Sequence, residues 1–159
     1  EVGTCIHNIF ATYDPSRPRE EMIAIAEMTI GRHGLQDVIP QPESIIGSEE
    51  RLYKILEEKY GKATRIEHEF PFSEIIDGQT IVGSIDLVWF TSENECVLVD
   101  IKNCPGATRL VLKPDDRRFL GQYAPQLKAY RTALERGGLT VKDSIIYLAM
   151  QAEAIRITC

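Results

Sequence analysis

Asp86 and Asp100 each interrupt an otherwise apolar run, in Gly83-Ser-Ile-Asp86-Leu-Val-Trp-Phe and in Val97-Leu-Val-Asp100-Ile-Lys102. Carboxylate oxygens are hard donors that suit Mg2+ or Mn2+, and a neighbouring lysine adds a cation for phosphate oxygens or developing negative charge. The spacing predicts how the three meet. With a hairpin turn centred on Glu93 in Thr91-Ser-Glu-Asn-Glu95, an antiparallel register sets Asp86 directly opposite Asp100. Facing residues have Cβ atoms about 4.5–5.5 Å apart, close enough for two carboxylates to share one cation. The two-residue period of a strand then brings Lys102 onto the face of Asp100. Such a set suits metal-dependent hydrolysis better than it suits a core.

Energetics weigh on the same side. Ile81, Ile85, Leu87 and Trp89 are predicted on one face of the first strand, with Val82, Val88 and Phe90 on the other. Strands apolar on both faces are usually central in a sheet. Two like charges facing each other there repel and lose solvation, so without a cation one carboxylate must hold a proton. The competing reading is an exposed sheet edge where both acids are simply solvated.

Asp86 followed by Asp100-Ile-Lys102 resembles the Asp…(Asp/Glu)-x-Lys signature of the PD-(D/E)xK nuclease superfamily. Gly3-Thr-Cys-Ile-His7-Asn-Ile-Phe resembles the Gly-x-x-x-His motif on the first helix of RecB-family nucleases, and Tyr123-Ala-Pro-Gln126-Leu-Lys-Ala-Tyr130 resembles their Tyr-x-x-Gln-x-x-x-Tyr helix. Glu69-Phe-Pro-Phe72 matches the family's approach strand more loosely. The matches keep the family's order over residues 3–130. The resemblance implies an α/β fold with a restriction-endonuclease-like αβββαβ core, a central mixed sheet flanked by helices.

It also implies roles. Asp86 and Asp100 would hold the metal, joined by His7 from the first helix and by the backbone carbonyl of Ile101. Lys102 would orient or deprotonate the attacking water and steady the transition state. Gln126 would hold the active site or the DNA strand. Tyr130 and Tyr123 could contact nucleotides or simply pack, and Glu69 is either a further acid near the metal or an ordinary strand residue. Alone, His7 would read as a surface or satisfied core histidine.

Several elements must position these groups. Helices are expected over Thr4–Tyr13, Glu20–Ile30 and from a Ser48 cap to Tyr60, each closed by a Gly or Asp-Pro signal. Strands are expected at about 64–73, 79–91 and 95–102, with Asp77-Gly78 as a hairpin turn. Residues 103–120 read as a charged loop. Pro125 suits the first turn of a helix to Arg136, before Gly137-Gly138. Ser144–Met150 and Ala154–Thr158 read as closing strands.

The chain has 159 residues, ordinary composition for one domain and a net charge of −6. That balance is uneven: residues 1–100 carry −11, whereas 101–136 carry +5 from Lys102, Arg109, Lys113, Arg117, Arg118, Lys128, Arg131 and Arg136. The basic stretch follows the candidate metal site, where it could contact phosphates or form a solvated loop. The four cysteines, Cys5, Cys96, Cys104 and Cys159, lack zinc spacing and a late triplet. Some RecB-family nucleases carry an iron–sulfur cluster on one early cysteine and a late triplet, so the resemblance implies no cluster here. A reducing, cytoplasmic setting without a membrane anchor suits the scattered thiols. The absence of an initiator methionine suggests a single nuclease domain, residues 1–159, cut from a larger polypeptide.

The expected activity is hydrolysis of DNA phosphodiesters with Mg2+ or Mn2+, by direct in-line attack of metal-bound water and without a covalent intermediate. By resemblance, the chain is the C-terminal nuclease module, expected to be an exonuclease, of a RecB/AddA-type helicase–nuclease in double-strand-break repair. Its partners would be DNA and helicase domains in cis or in a partner subunit. No Gly-x-x-x-x-Gly-Lys-(Ser/Thr) loop is present, so a motor would lie elsewhere. One rival is an inactive nuclease-fold scaffold or DNA-binding module, and another is a stand-alone enzyme acting on RNA.

Overall fold

A computed structural model describes residues 1–39, 41–103 and 123–157. The elements are α1 (Val2–Thr12), α2 (Arg19–Arg32), α3 (Pro42–Tyr60), β1 (Arg65–Ile76), β2 (Gln79–Phe90), β3 (Glu95–Lys102), α4 (Ala124–Arg136), β4 (Thr140–Leu148) and β5 (Glu153–Ile157). The strands form one sheet in the order β1-β2-β3-β4-β5. All neighbours are antiparallel except β3 and β4, which run parallel because α4 lies between them in the chain. The run from α3 to β4 is the expected αβββαβ core. The loop expected over 103–120, with Arg109, Lys113, Arg117 and Arg118, lies outside the described residues apart from Asn103, as do Cys104 and Cys159.

Each face of the sheet has its own apolar layer. Helices α1–α3 cover one face, where Ile6, Ile9 and Phe10 meet Leu52, Leu56, Leu87, Trp89, Val99 and Tyr147. Helix α4 covers the other, with Leu127, Tyr130 and Leu134 against Val88, Phe90, Leu98 and Ile146. Cys5 and Cys96 are free, buried thiols. Among the described residues no helix is long and apolar enough to cross a membrane.

Helix α3 begins six residues before the expected cap. Pro42 occupies its first turn, where the missing N–H costs nothing. Ser48 lies inside the helix, and its hydroxyl donates to the Ala149 carbonyl at 2.7 Å. Gly47-Ser48 thus imitates a helix start while serving a contact 101 residues away.

The β1–β2 hairpin also departs from expectation. Its turn is the expected Asp77-Gly78, with both φ angles positive (51° and 77°) as a type I′ turn requires. Strand β3, however, pairs with β2 only from Leu87 to Phe90. The outer half of the hairpin therefore projects as an arm, leaving Val82 72% and Ile81 40% exposed rather than buried. The faces also exchange at the root of the arm. Leu87 and Trp89 join the α1–α3 layer, but Ile85 joins the α4 layer. Across the hairpin Ile66 and Phe70 divide in the same way. The pairing register is unchanged through this region, with Glu69 and Asp86 omitted from the ladder. Glu69 has φ 49°, a left-handed turn that rotates the strand and redirects the residues beyond it.

Candidate active site

Asp86 stands at this twist, where β2 also parts from β3. The β2–β3 register places it across from Asp100, as the hairpin spacing predicts. The ladder ends one residue earlier, and the Asp86 carboxylate completes it: Oδ2 accepts a hydrogen bond from Ile101 N at 2.6 Å. In an extended strand, a residue's N–H and C=O leave on the same edge, so the Ile101 carbonyl also points toward Asp86. The Ile101 side chain is buried in the α1–α3 layer.

Asp100 is only 2% exposed. Burial pushes its carboxyl up to about 6, aided by the neighbouring Asp86 charge and opposed by Lys102. Lys102 Nζ lies 3.0 Å from Asp100 Oδ2. That contact is an ion pair without hydrogen-bond alignment, since Oδ2 is buried and has no hydrogen-bond partner among the described residues. The ammonium also donates to Gln126 Oε1 at 3.2 Å and sits 4.6 Å from the Tyr123 ring centroid.

His7 reaches the site from α1. Its Nδ1–H donates to the Gly3 carbonyl at 2.7 Å, and Nε2 lies 3.3 Å from Asp86 Oδ2. The four-residue spacing puts the ring over the carbonyl one helical turn back, fixing which nitrogen faces the carboxylates. The bond to Asp86 raises the His7 pKa to about 9 against an opposing loss of solvation. Among the described residues nothing in the packing demands glycine at position 3, where a Cβ would meet none of their atoms within 4 Å.

Helix α4 supplies the opposite wall. Gln126 and Tyr130 share one face, and Gln126 Nε2 donates to the Tyr130 hydroxyl at 2.7 Å. Tyr130 is 5% exposed, and its phenol is held well above the ordinary tyrosine range, chiefly by burial. Glu69 is exposed and accepts a hydrogen bond from Ser84 Oγ at 2.7 Å. His7, Asp86, Asp100, Lys102, Gln126, Tyr130 and Tyr123 thus form one continuous set of contacts. The basic residues Arg131 and Arg136 turn instead to Glu135 and Glu74.

The donor set suits a hard or borderline divalent cation: two adjoining carboxylates, one imidazole with a fixed orientation, and a buried oxygen lacking a hydrogen bond. As the side chains stand, no three His, Cys, Asp or Glu groups converge on one point among the described residues. Lys102 faces Asp100, and His7 faces Asp86 directly. A cation would have to displace the His7 proton and take over the acidic oxygens from these partners.

The fold is that of a nuclease class. A family model of the PD-(D/E)XK nuclease superfamily matches residues 1–157, and the chain belongs to that superfamily. Its nucleases typically use divalent metal ions to hydrolyse phosphodiesters. A comparison with curated proteins finds no match.

Two features escaped the sequence reading. Phe72 packs edge-to-face on Tyr130, with centroids 4.8 Å apart, after the face exchange brings it there. Glu49 on α3 is fully buried with neither oxygen hydrogen-bonded among the described residues, and burial pushes its carboxyl up to about 10. Its place at i+4 from Ile45 and i−3 from Leu52, both buried, was the available signal.

Proposed function

We propose that this chain is a divalent-metal-dependent deoxyribonuclease that hydrolyses phosphodiesters of a DNA strand. The observation that carries the reading is the joining of Asp86, Asp100 and Lys102 to His7 from α1 and Gln126 from α4. Asp86, Asp100, His7 Nε2 and the Ile101 carbonyl would hold Mg2+ or Mn2+. When bound, the cation polarises the scissile phosphate and acidifies water.

The chain's own residues do the rest. Lys102, steadied by Gln126 and Tyr123, places a positive charge where the phosphoryl oxygens gain negative charge. Gln126 fixes the direction of that ammonium, and Tyr130 fixes Gln126. Among the described residues no nucleophilic side chain paired with a base adjoins Lys102, consistent with water as the attacking group. In the wider setting, the motif order favours an exonuclease module of a cytoplasmic RecB-type helicase–nuclease that repairs double-strand breaks. Helicase domains would deliver the strand.

One observation favours an inactive scaffold instead: among the described residues no three ligand side chains converge as they stand. Cleavage of end-labelled single-stranded DNA with Mg2+, Mn2+ or EDTA separates the readings, using wild type, Asp100→Ala and Lys102→Ala. The nuclease reading expects metal-dependent cutting that both substitutions abolish. Neither cutting nor calorimetric metal binding would leave the scaffold.

A further inference from the structure

Gly83 pairs with Phe72 across the hairpin, three residues before Asp86. A Cβ on Gly83 would stand 2.7 Å from Phe72 Cε1 and 3.3 Å from Cζ. The ring therefore lies over bare backbone, and a side chain at position 83 would displace it. The ring also meets Tyr130, at an interplanar angle of 72°. Tyr130 is closed in, so movement of Phe72 is passed on to it rather than absorbed by solvent.

Tyr130 in turn orients an amide whose two ends are not interchangeable. An ammonium only donates, so Lys102 requires the Gln126 oxygen, and Nε2 must find its acceptor elsewhere. The Tyr130 hydroxyl is that acceptor. The order Gly83, Phe72, Tyr130, Gln126, Lys102 is thus a continuous mechanical and hydrogen-bonded path from the arm to the site.

We propose that Phe72, seated on Gly83, is a positioning residue for Lys102, acting through Tyr130 and Gln126. The inference builds on the hydrolase reading but has a readout independent of it. Without Cβ, Gly83 lets the aromatic ring approach the backbone, and the ring holds the tyrosine whose hydroxyl sets the amide. The approach strand is therefore part of the lysine's support.

The test is NMR of the Gln126 side-chain NH2 in the 15N-labelled protein, assigned by its loss in Gln126→Ala. Tyr130→Phe marks the resonance without its acceptor. Phe72→Leu and Gly83→Ala are each expected to shift the pair toward that position and to speed its exchange with water. An unchanged pair in both folded variants overturns the proposal. In cleavage assays Phe72→Leu should lower kcat about tenfold with KM unchanged, and cause no further loss in a Gln126→Ala background. An additive loss there also overturns it. If wild type cuts no DNA, the hydrolase reading fails while the amide resonance still decides the positioning role.

Discussion

Asp86 and Ile101 are joined where β2 and β3 part, the carboxylate accepting the Ile101 amide hydrogen at 2.6 Å. A backbone carbonyl of β2 would take that hydrogen if the ladder continued. Asp86 therefore completes the strand pair and also faces His7 and Asp100. One side chain has a structural duty and an electrostatic one.

Substitution should separate these duties. Asp86→Asn keeps an acceptor oxygen, so thermal stability of the metal-free protein should stay within about 1 kcal/mol of wild type. Its affinity for Mn2+, measured by calorimetry, should fall about tenfold or more. Asp86→Ala leaves the Ile101 N–H without its partner and should cost about 1–3 kcal/mol in addition. Unchanged Mn2+ affinity in Asp86→Asn would remove the residue from the metal site.

The pH dependence of metal binding follows from two groups. His7, raised to about 9, carries a proton in the metal-free protein at neutral pH, and Asp100 takes one below about 6. Each proton must leave before that group can ligate a cation. Apparent affinity should rise about tenfold per pH unit between 6 and 9, and more steeply below 6. In His7→Gln the slope between 6 and 9 should vanish while the steepening below 6 persists. Calorimetry in buffers of different ionisation enthalpy would count the protons released. A wild-type profile flat from pH 6.5 to 8.5 would exclude His7 as a ligand.

The facing carboxylates were legible because one short turn and a two-residue period determine the register from Asp86 to Asp100. The Asp77-Gly78 turn was legible for a similarly local reason. The exchange of faces was not, because it depends on Glu69 adopting φ 49°, which no residue type at that position announces. Strict alternation therefore grouped Ile85 with Leu87 and hid the route by which Phe72 reaches Tyr130. The start of α3 misled for a long-range reason: Ser48 looks like a cap, and its hydroxyl is taken by Ala149. Local signals define elements, whereas contacts between distant residues decide which faces those elements turn inward.

The arm has its own anchor. Glu74 is buried 4% exposed on β1 and pairs with Arg136 at the end of α4. Beyond Leu87 β3 no longer pairs with the hairpin, and this ion pair ties the arm to α4. Arg136→Ala strands a buried carboxylate that still accepts from Ile75 N. The expected loss is about 1–3 kcal/mol in denaturant unfolding. The double variant Glu74→Met, Arg136→Met should recover most of it, since apolar replacement of both partners removes the stranded charge. Equal loss in the single and double variants would show that packing, not charge, is at stake.

Glu49 yields a prediction of opposite sign. Its carboxyl is fully buried, both oxygens lack hydrogen bonds among the described residues, and its pKa is raised from 4.5 to about 10. It is a neutral acid in the folded protein at pH 7 but ionised in the unfolded chain. A raised folded-state pKa contributes stability that is complete below about 4.5 and declines as pH rises toward 10. Glu49→Met has similar length, no unsatisfied oxygens and no proton to lose. It should therefore be more stable than wild type at pH 8, by about 1–3 kcal/mol. The difference should shrink as pH falls toward 4.5. Thermal unfolding of both proteins across pH 5 to 9 checks the sign directly: curves that stay parallel would mean that Glu49 is ionised in the fold.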